Sequence, residues 1–312
     1  MPPDHPRRVS RRRALVGSAT LGLTLLVSGC SDTVYRGFLP GSSAHEVTNQ
    51  TGRIASLWRG SWVAALLVGL LTWGLILWCV AVYRKRKSDD TLPVQLRYHV
   101  PLEVMYVVLP IVMVGVLFFF TNRDTTAIMA TDAPADVHVQ VIGKQWSWDF
   151  NYLDDDVYDT GEHAQGLDQP GALDNQVTLW LPVDERVEFT LNSRDVIHSF
   201  WVPAFLFKMD VIPGRTNTFQ VTPTAGGEYR GKCAELCGEY HSEMLFNVKV
   251  VSVDEYNKHL ADLKAAGNVG DLSSNLGRSK TPPGGAVPGN PLLATQPTGS
   301  ASCPRYPNRA SS

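Results

Sequence analysis

The hydrophobic pattern changes period along the chain, and each change marks a different kind of element. The run from Trp62 to Tyr83, "WVAALLVGLLTWGLILWCVAVY", carries no charge over 22 positions. At ~1.5 Å per residue it crosses a hydrocarbon layer of ~30 Å as a helix. Trp58, Trp62 and Trp78 lie near its ends, as interfacial anchors do. A second run, Val104 to Phe120, is close to the minimum length and contains Pro110, which neighbouring helices make tolerable by satisfying the freed carbonyl. From Val137 the period drops to two. "VHVQVIG", "QVTLWLP", "VEFTLNS", "TNTFQVTP" and "MLFNVKVV" are short alternating segments punctuated by Pro, Gly, Asn and Asp, the signature of an antiparallel sandwich or barrel. Leu153 to Asn175, rich in Asp and Gly, reads as a long loop, and "VDEYNKHLADLKAAG" as a short terminal helix. Beyond Gly267, Pro, Gly and Ser dominate with little apolar content to pack.

Charge gives these elements an orientation. "RKRKSDD" between the two apolar runs holds four consecutive cations in a short loop, which places that loop in the cytoplasm and both outer ends of the hairpin outside. The N-terminus agrees. Arg7, Arg8, Arg11, Arg12 and Arg13 precede the short apolar stretch "ALVGSATLGLTLLV", an export-signal pattern ending in "LVSGC". Small residues before Cys30 resemble the lipobox of bacterial lipoproteins, which implies lipidation at Cys30. The chain thus divides into a signal at 1–30, an extracytoplasmic segment at 31–57, a hairpin at 58–122 with spans at about 61–83 and 103–121 around a cytoplasmic loop at 84–102, a β domain at 123–265, and a flexible tail at 266–312. The net charge of −2 gives no footprint for nucleic acid. Glu103, at the cytoplasmic start of the second span, has two readings. It complements the helix dipole, or it serves as an ionisable group at membrane depth.

The chemistry concentrates in "GKCAELCGEYHSEMLF". Five cysteines serve 312 residues, yet Cys233 and Cys237 fall here beside His241 and Met244, between a strand ending at Tyr229 and another starting at Leu245. In an oxidising compartment a CxxxC pair forms a disulfide. Zinc accepts Cys and His but makes little use of Met. Copper takes the whole soft set of thiolate, imidazole and thioether. Two cysteines exceed what one blue-type copper needs, so a pair of metals bridged by two thiolates enters consideration, with His198 of "NSRDVIHSFWVP", at a strand end, as the missing imidazole. Cys79, within the first span, reads as a small apolar packing residue, and Cys303 in the tail has no evident partner.

"IHSFWVPAF", "DVIPGR" and "GKCAELCGEYHSEM" resemble subunit II of the heme–copper cytochrome c oxidases of the CuA-bearing type, a likeness running from about Arg53 to Lys249. The resemblance implies a membrane-anchored all-β chain, with a two-helix transmembrane hairpin followed by a cupredoxin-like antiparallel β-barrel. It implies two copper ions bridged by Cys233 and Cys237, each capped by one of His198 and His241, with Met244 as a weak ligand. Glu235 would ligate through its backbone carbonyl, and its side chain would reach a magnesium ion at the subunit I interface. The implied function is electron relay from a cytochrome c, soluble or membrane-tethered, to heme in subunit I of a proton-pumping oxidase. Implied partners are subunits I and III, membrane lipid, and a quinol–cytochrome c reductase in a supercomplex.

Further expectations follow from the same resemblance. "GKQWSWDFNY" is similar to the family's aromatic strand, whose first tryptophan, here Trp146, takes the electron; yet Trp146, Trp148, Phe150 and Tyr152 also alternate as core residues would. Lys144 stands where the family has His, and Ser147 where it has an aromatic. Glu103 lies seven residues before Pro110, as does the family's glutamate at the mouth of a proton channel. Asp154, Asp155, Asp156, Asp159 and Glu162 form an acidic loop expected on the electron-entry side, where it would steer a basic donor. Competing readings are a copper-free structural subunit of a quinol oxidase, a copper-binding or disulfide-exchange module of oxidase assembly, and another CuA enzyme. The retained ligand set argues against the first, and Glu103 with the aromatic strand against the second.

Overall fold

The computed structural model describes residues 31–41, 46–84, 95–164 and 176–274. The stretch read as an export signal, with Cys30, most of the stretch read as a cytoplasmic loop, residues 165–175 of the long acidic segment, and the tail with Cys303 lie outside the described residues. Two helices, α1 (Thr51–Val82) and α2 (Val100–Ile128), carry the apolar runs and extend past them toward the β domain. Their 32 and 29 residues exceed the roughly 20 that a bilayer core requires. The surplus turns project beyond it, where Arg53 and Arg123 close on the buried Asp124 carboxylate at 3.2 and 2.9 Å and tie the helices together.

Residues 46–49 then stitch this hairpin to the β domain. Thr48 bridges Pro223, Asn49 N–H donates to the Thr222 carbonyl at 3.0 Å, and Thr224 N–H donates to the Val47 carbonyl at 2.9 Å. Backbone groups that would otherwise lose water at the junction find partners this way.

The β domain packs two five-stranded sheets. In sheet one the order is β3 (Val157–Thr160), β2 (Ser147–Tyr152), β1 (Val137–Lys144), β5 (Val187–Ser193), β8 (Asn217–Val221). In sheet two it is β4 (Thr178–Pro182), β10 (Leu245–Val251), β9 (Gly227–Cys233), β6 (His198–Val202), β7 (Phe207–Val211). All five segments with alternating pattern are strands. The sheets are not wholly antiparallel: β1 pairs β5 and β10 pairs β4 in parallel. Parallel partners need a crossover rather than a hairpin, and strands far apart in sequence provide it, which alternation alone does not reveal.

Between the sheets lies an aromatic core. Phe246 stacks on Phe200 at 5.0 Å and meets Trp148 edge-on at 5.4 Å and Phe150 at 5.6 Å. These offset and edge contacts satisfy the ring quadrupoles while excluding water. β2 is buried at every residue, so it does not show the half-exposed alternation of an outer strand. Its apolar face meets sheet two. Its polar face is covered by the segment after α3 (Val253–Ala265), where Leu272 N–H and the Leu272 carbonyl each bond the Asn151 side chain at 3.0 Å. The packed structure therefore runs to about Ser273, past the boundary drawn at 265, held by the buried Leu272, its bonds to Asn151 and the Arg194 side chain on the Ser273 carbonyl. β3 lies inside the stretch read as loop, and His198 opens a strand instead of ending one.

Phe246→Ala removes the ring shared by both sheets and is expected to cost about 3–5 kcal/mol. Thermal unfolding of the full chain in detergent, followed by near-ultraviolet circular dichroism, checks this as a lowered Tm relative to the parent.

Candidate metal centre

The loop between β9 and β10 turns on itself through a single 3-10 turn, His241–Glu243, and its ends are fixed by strand pairing from Lys232↔Leu245 onward. Cys233 N–H donates to the Met244 carbonyl at 3.0 Å, which closes the loop's neck. Inside, Cys233 Sγ and Cys237 Sγ stand 3.8 Å apart as free thiols rather than as a disulfide. His198 Nδ1 lies 3.9 Å from Cys233 Sγ, His241 Nδ1 3.5 Å from Cys237 Sγ, and Met244 Sδ 3.7 Å from Cys237 Sγ. The Glu235 carbonyl is 3.2 Å from Cys233 Sγ, while its side chain is directed outward and exposed. The structure thus brings together all six residues named from the sequence as metal ligands.

These spacings fit donors sharing a metal. Ligands at ~2.3 Å for sulfur and ~2.0 Å for nitrogen in tetrahedral geometry lie about 3.8 Å apart for two sulfurs and about 3.5 Å for sulfur and nitrogen. His198, Cys233, Cys237 and Met244 are buried, so the donor set is dry apart from the partly exposed His241 and the loop surface.

Contacts behind the donors orient them. Asp195 Oδ1 accepts from His198 Nε2 at 2.8 Å, which leaves Nδ1 with its lone pair toward Cys233. Burial works against charging the His198 ring, but the bonds to Asp195 and Cys233 outweigh it and raise its pKa. Gly143 is required beside this ring, because a Cβ there would stand 2.8 Å from His198 Cδ2. The thiols titrate as a unit. The hydrogen bond from Cys237 pulls Cys233 down to about 3, and the same contact with burial pushes Cys237 upward.

Trp146 stands apart from the core strand that follows it. Trp148, Phe150 and Tyr152 are core, but Trp146 occupies the β1–β2 turn, half-buried over the metal loop. Its Nε1 donates to the Cys237 carbonyl at 3.3 Å, Gln145 Nε2 donates to the same oxygen at 2.6 Å, and Tyr240 meets its ring edge-on at 4.9 Å. Gly238, at φ +124°, passes where a Cβ would meet the indole at 3.0 Å. Gln145 N–H also donates to Asp195 Oδ2 at 2.7 Å, so one carboxylate touches both the tryptophan turn and the His198 ring. Asp195, Gln145 and Tyr240 were not singled out in the sequence. A carboxylate three positions before a ligating histidine was the one available signal.

One expectation changes. The tight turn carrying Asp154, Asp155 and Asp156 lies at the far end of β2 from Trp146, about 20 Å away at ~3.3 Å per residue, because the hairpin reverses there. Asp154 instead accepts from His138 N–H at 2.7 Å. Only Glu162 returns toward Trp146, two residues before Ala164 N–H bonds the Trp146 carbonyl at 3.1 Å. Glu103 sits outside this centre at the start of α2, where its Oε1 accepts from His99 N–H at 2.9 Å as a helix-terminus partner.

A two-helix membrane hairpin carrying a two-sheet β domain with a buried Cys–Cys–His cluster defines the class: membrane-anchored, cupredoxin-like, with a metal site of copper type. The family model "Cytochrome C oxidase subunit II, periplasmic domain" matches residues 137–251. The chain is 43% identical over 305 residues to the probable cytochrome c oxidase subunit 2 of Streptomyces avermitilis, covering 88% of this chain and 94% of that one. It is 33% identical to cytochrome c oxidase subunit 2 of Mycobacterium tuberculosis, covering 82% of each. Among solved structures, the periplasmic domain of subunit II of cytochrome oxidase from Bradyrhizobium japonicum is 32% identical over 43% of this chain and 97% of that one, with a TM-score of 0.39. The chain belongs to the cytochrome c oxidase subunit II family.

The coupled thiols give a pH prediction. Cys233's folded pKa lies below its ordinary value, so its thiolate contributes stability fully above about pH 8.5, and that contribution is lost as pH falls toward about 3. In metal-free chain, absorbance near 240 nm, taken as the difference from Cys233→Ser, should show one thiolate at pH 7 that persists below pH 5. Thiolate appearing only above about pH 8 contradicts the pairing.

Proposed function

We propose that the six donors hold two copper ions and that this chain relays electrons from a cytochrome c to the oxygen-reducing subunit of the oxidase. The observation that carries the reading is the pairing of donors: two sulfurs 3.8 Å apart, each with its own imidazole at 3.5 to 3.9 Å. His198 clusters with both sulfurs within 4.8 Å, whereas His241 approaches Cys237, a division that suits two metal positions better than one. Cys233, Cys237, His198 and His241 would hold the two coppers, which would supply a one-electron site there. Met244 and the Glu235 carbonyl complete the set. The exposed Glu235 side chain is free to reach magnesium at an interface with subunit I.

The protein's own part is to hold this set still. Strands β9 and β10 fix the loop, the aromatic core excludes water behind it, and Asp195 fixes the His198 tautomer. Trp146 is the entry point in this reading. Its indole is partly exposed on one side and bonded on the other to the carbonyl of Cys237, so an outside donor can meet it without reaching the thiolates. Glu103 admits protons from the cytoplasmic side, and Cys30 anchors the exported N-terminus through lipid. The donor is a soluble or tethered cytochrome c, and subunits I and III with a quinol–cytochrome c reductase complete the assembly.

Copper analysis of the purified chain is expected to give two ions per molecule and a seven-line EPR pattern, reduced in Cys237→Ser to at most a mononuclear signal. One zinc per chain would overturn the reading. Trp146→Phe is expected to slow reduction by cytochrome c with copper content intact. Glu103→Gln is expected to slow steady-state turnover while leaving copper content and reduction by cytochrome c unchanged; equal turnover returns Glu103 to its helix-terminus role alone.

A further inference from the structure

Lys144 and Ser147, the two departures from the family's aromatic strand, fall on either side of the Trp146 turn, and the structure gives each a partner. Ser147 is buried and small enough for the returning chain at Gly161 to pass against it, a crossing with no room for a Cβ. That passage delivers Gly161 N–H to the Trp148 carbonyl at 2.9 Å and Ala164 N–H to the Trp146 carbonyl. Lys144 Nζ points inward to Asp149 Oδ1 at 2.6 Å and Thr160 Oγ1 at 3.0 Å. Asp149 is 0% exposed. On its other oxygen, Arg194 Nη1 stands at 3.0 Å as an ion pair, and Arg194 Nε donates to the Ser273 carbonyl at 2.7 Å.

The triad joins three segments at informative points. Lys144 directly precedes Gln145 and Trp146, which dock on the Cys237 carbonyl. Arg194 directly precedes Asp195, which holds His198. Asp149 lies on β2 between them, and Arg194 N–H donates to the Gly143 carbonyl at 3.0 Å, so the two outer segments also touch. A fully buried carboxylate carries a desolvation cost of several kcal/mol, offset only when its cations stand in place.

We propose that Lys144, Asp149 and Arg194 form a positioning clamp that fixes the Trp146 turn against the His198 loop, and so sets the geometry of electron entry. The clamp rests on the reading of Trp146 as the entry point. None of the three is among the metal donors; they act through Gln145, Trp146 and Asp195.

The test separates positioning from stability. Replacing a buried ion network by apolar residues of similar volume is often neutral for folding. The triple variant Lys144→Met, Asp149→Leu, Arg194→Met is therefore compared with Asp149→Asn and with the conservative Lys144→Arg. In metal-free full chain in detergent, labelled with 5-fluorotryptophan, the fluorine resonance of Trp146 is assigned by its loss in Trp146→Phe. The triple variant should fold with near-parental Tm, yet move that resonance toward its solvent-exposed position and broaden it, while Lys144→Arg keeps the parental resonance. In assembled, copper-loaded oxidase, stopped-flow reduction by cytochrome c should slow at least about fivefold, because small misplacements of reacting partners are costly in rate. A folded triple variant with an unchanged Trp146 resonance and an unchanged rate overturns the clamp. So does a slowed rate with an unmoved resonance. If Trp146→Phe leaves electron entry untouched, the entry-point reading fails, and the metal-free resonance still decides whether the triad holds the turn.

Discussion

Holding two unlinked sulfurs 3.8 Å apart in a dry pocket is the constraint on which the rest of this structure depends. Left to themselves, neighbouring thiols oxidise to a disulfide, and neighbouring thiolates repel. The protein opposes both outcomes with rigidity. The neck of the ligand loop is closed by paired strands and by the Cys233–Met244 backbone bond, and its outer side is pinned where Gln145 and Trp146 share the Cys237 carbonyl. Each thiol bears on the other's proton, the contact between them lowering the pKa of Cys233 and raising that of Cys237.

The same rigidity extends to the membrane. Residues 46–49 pair with 222–224 through backbone hydrogen bonds, and Gln220 Nε2 donates to the Ala133 carbonyl at 2.9 Å, so the segments flanking both helices are bonded to the β domain. Asp124 closes the helix pair nearby, through its ion pairs with Arg53 and Arg123.

Much of this was legible in the sequence because it depends on period and on rare residue types. Two long uncharged runs, five alternating segments and a cluster of Cys, His and Met within twelve positions each carry their own physical signature. What stayed hidden depends on distant pairing. Parallel β1–β5 and β4–β10, the burial of β2's polar face by residues after α3, and the placement of the Asp154–Asp156 turn away from Trp146 are set by topology, which local pattern does not encode. Asp149 illustrates the limit: on an alternating strand it reads as a solvent-facing charge, and only the fold supplies the two cations and the cover that bury it. Trp146 shows the reverse: its alternation with Trp148, Phe150 and Tyr152 also suits a core position, and the turn lifts it to a half-buried place.

The central claim, two metals bridged by two thiolates, has a direct geometric consequence. Were Cys233 and Cys237, 3.8 Å apart, to share two metals at ~2.3 Å from sulfur, those metals would lie about 2.6 Å from each other. X-ray absorption at the copper edge of the loaded chain should therefore contain a short copper–copper vector near that length, together with sulfur at ~2.3 Å. A spectrum with sulfur and nitrogen shells but no metal–metal vector would contradict the account.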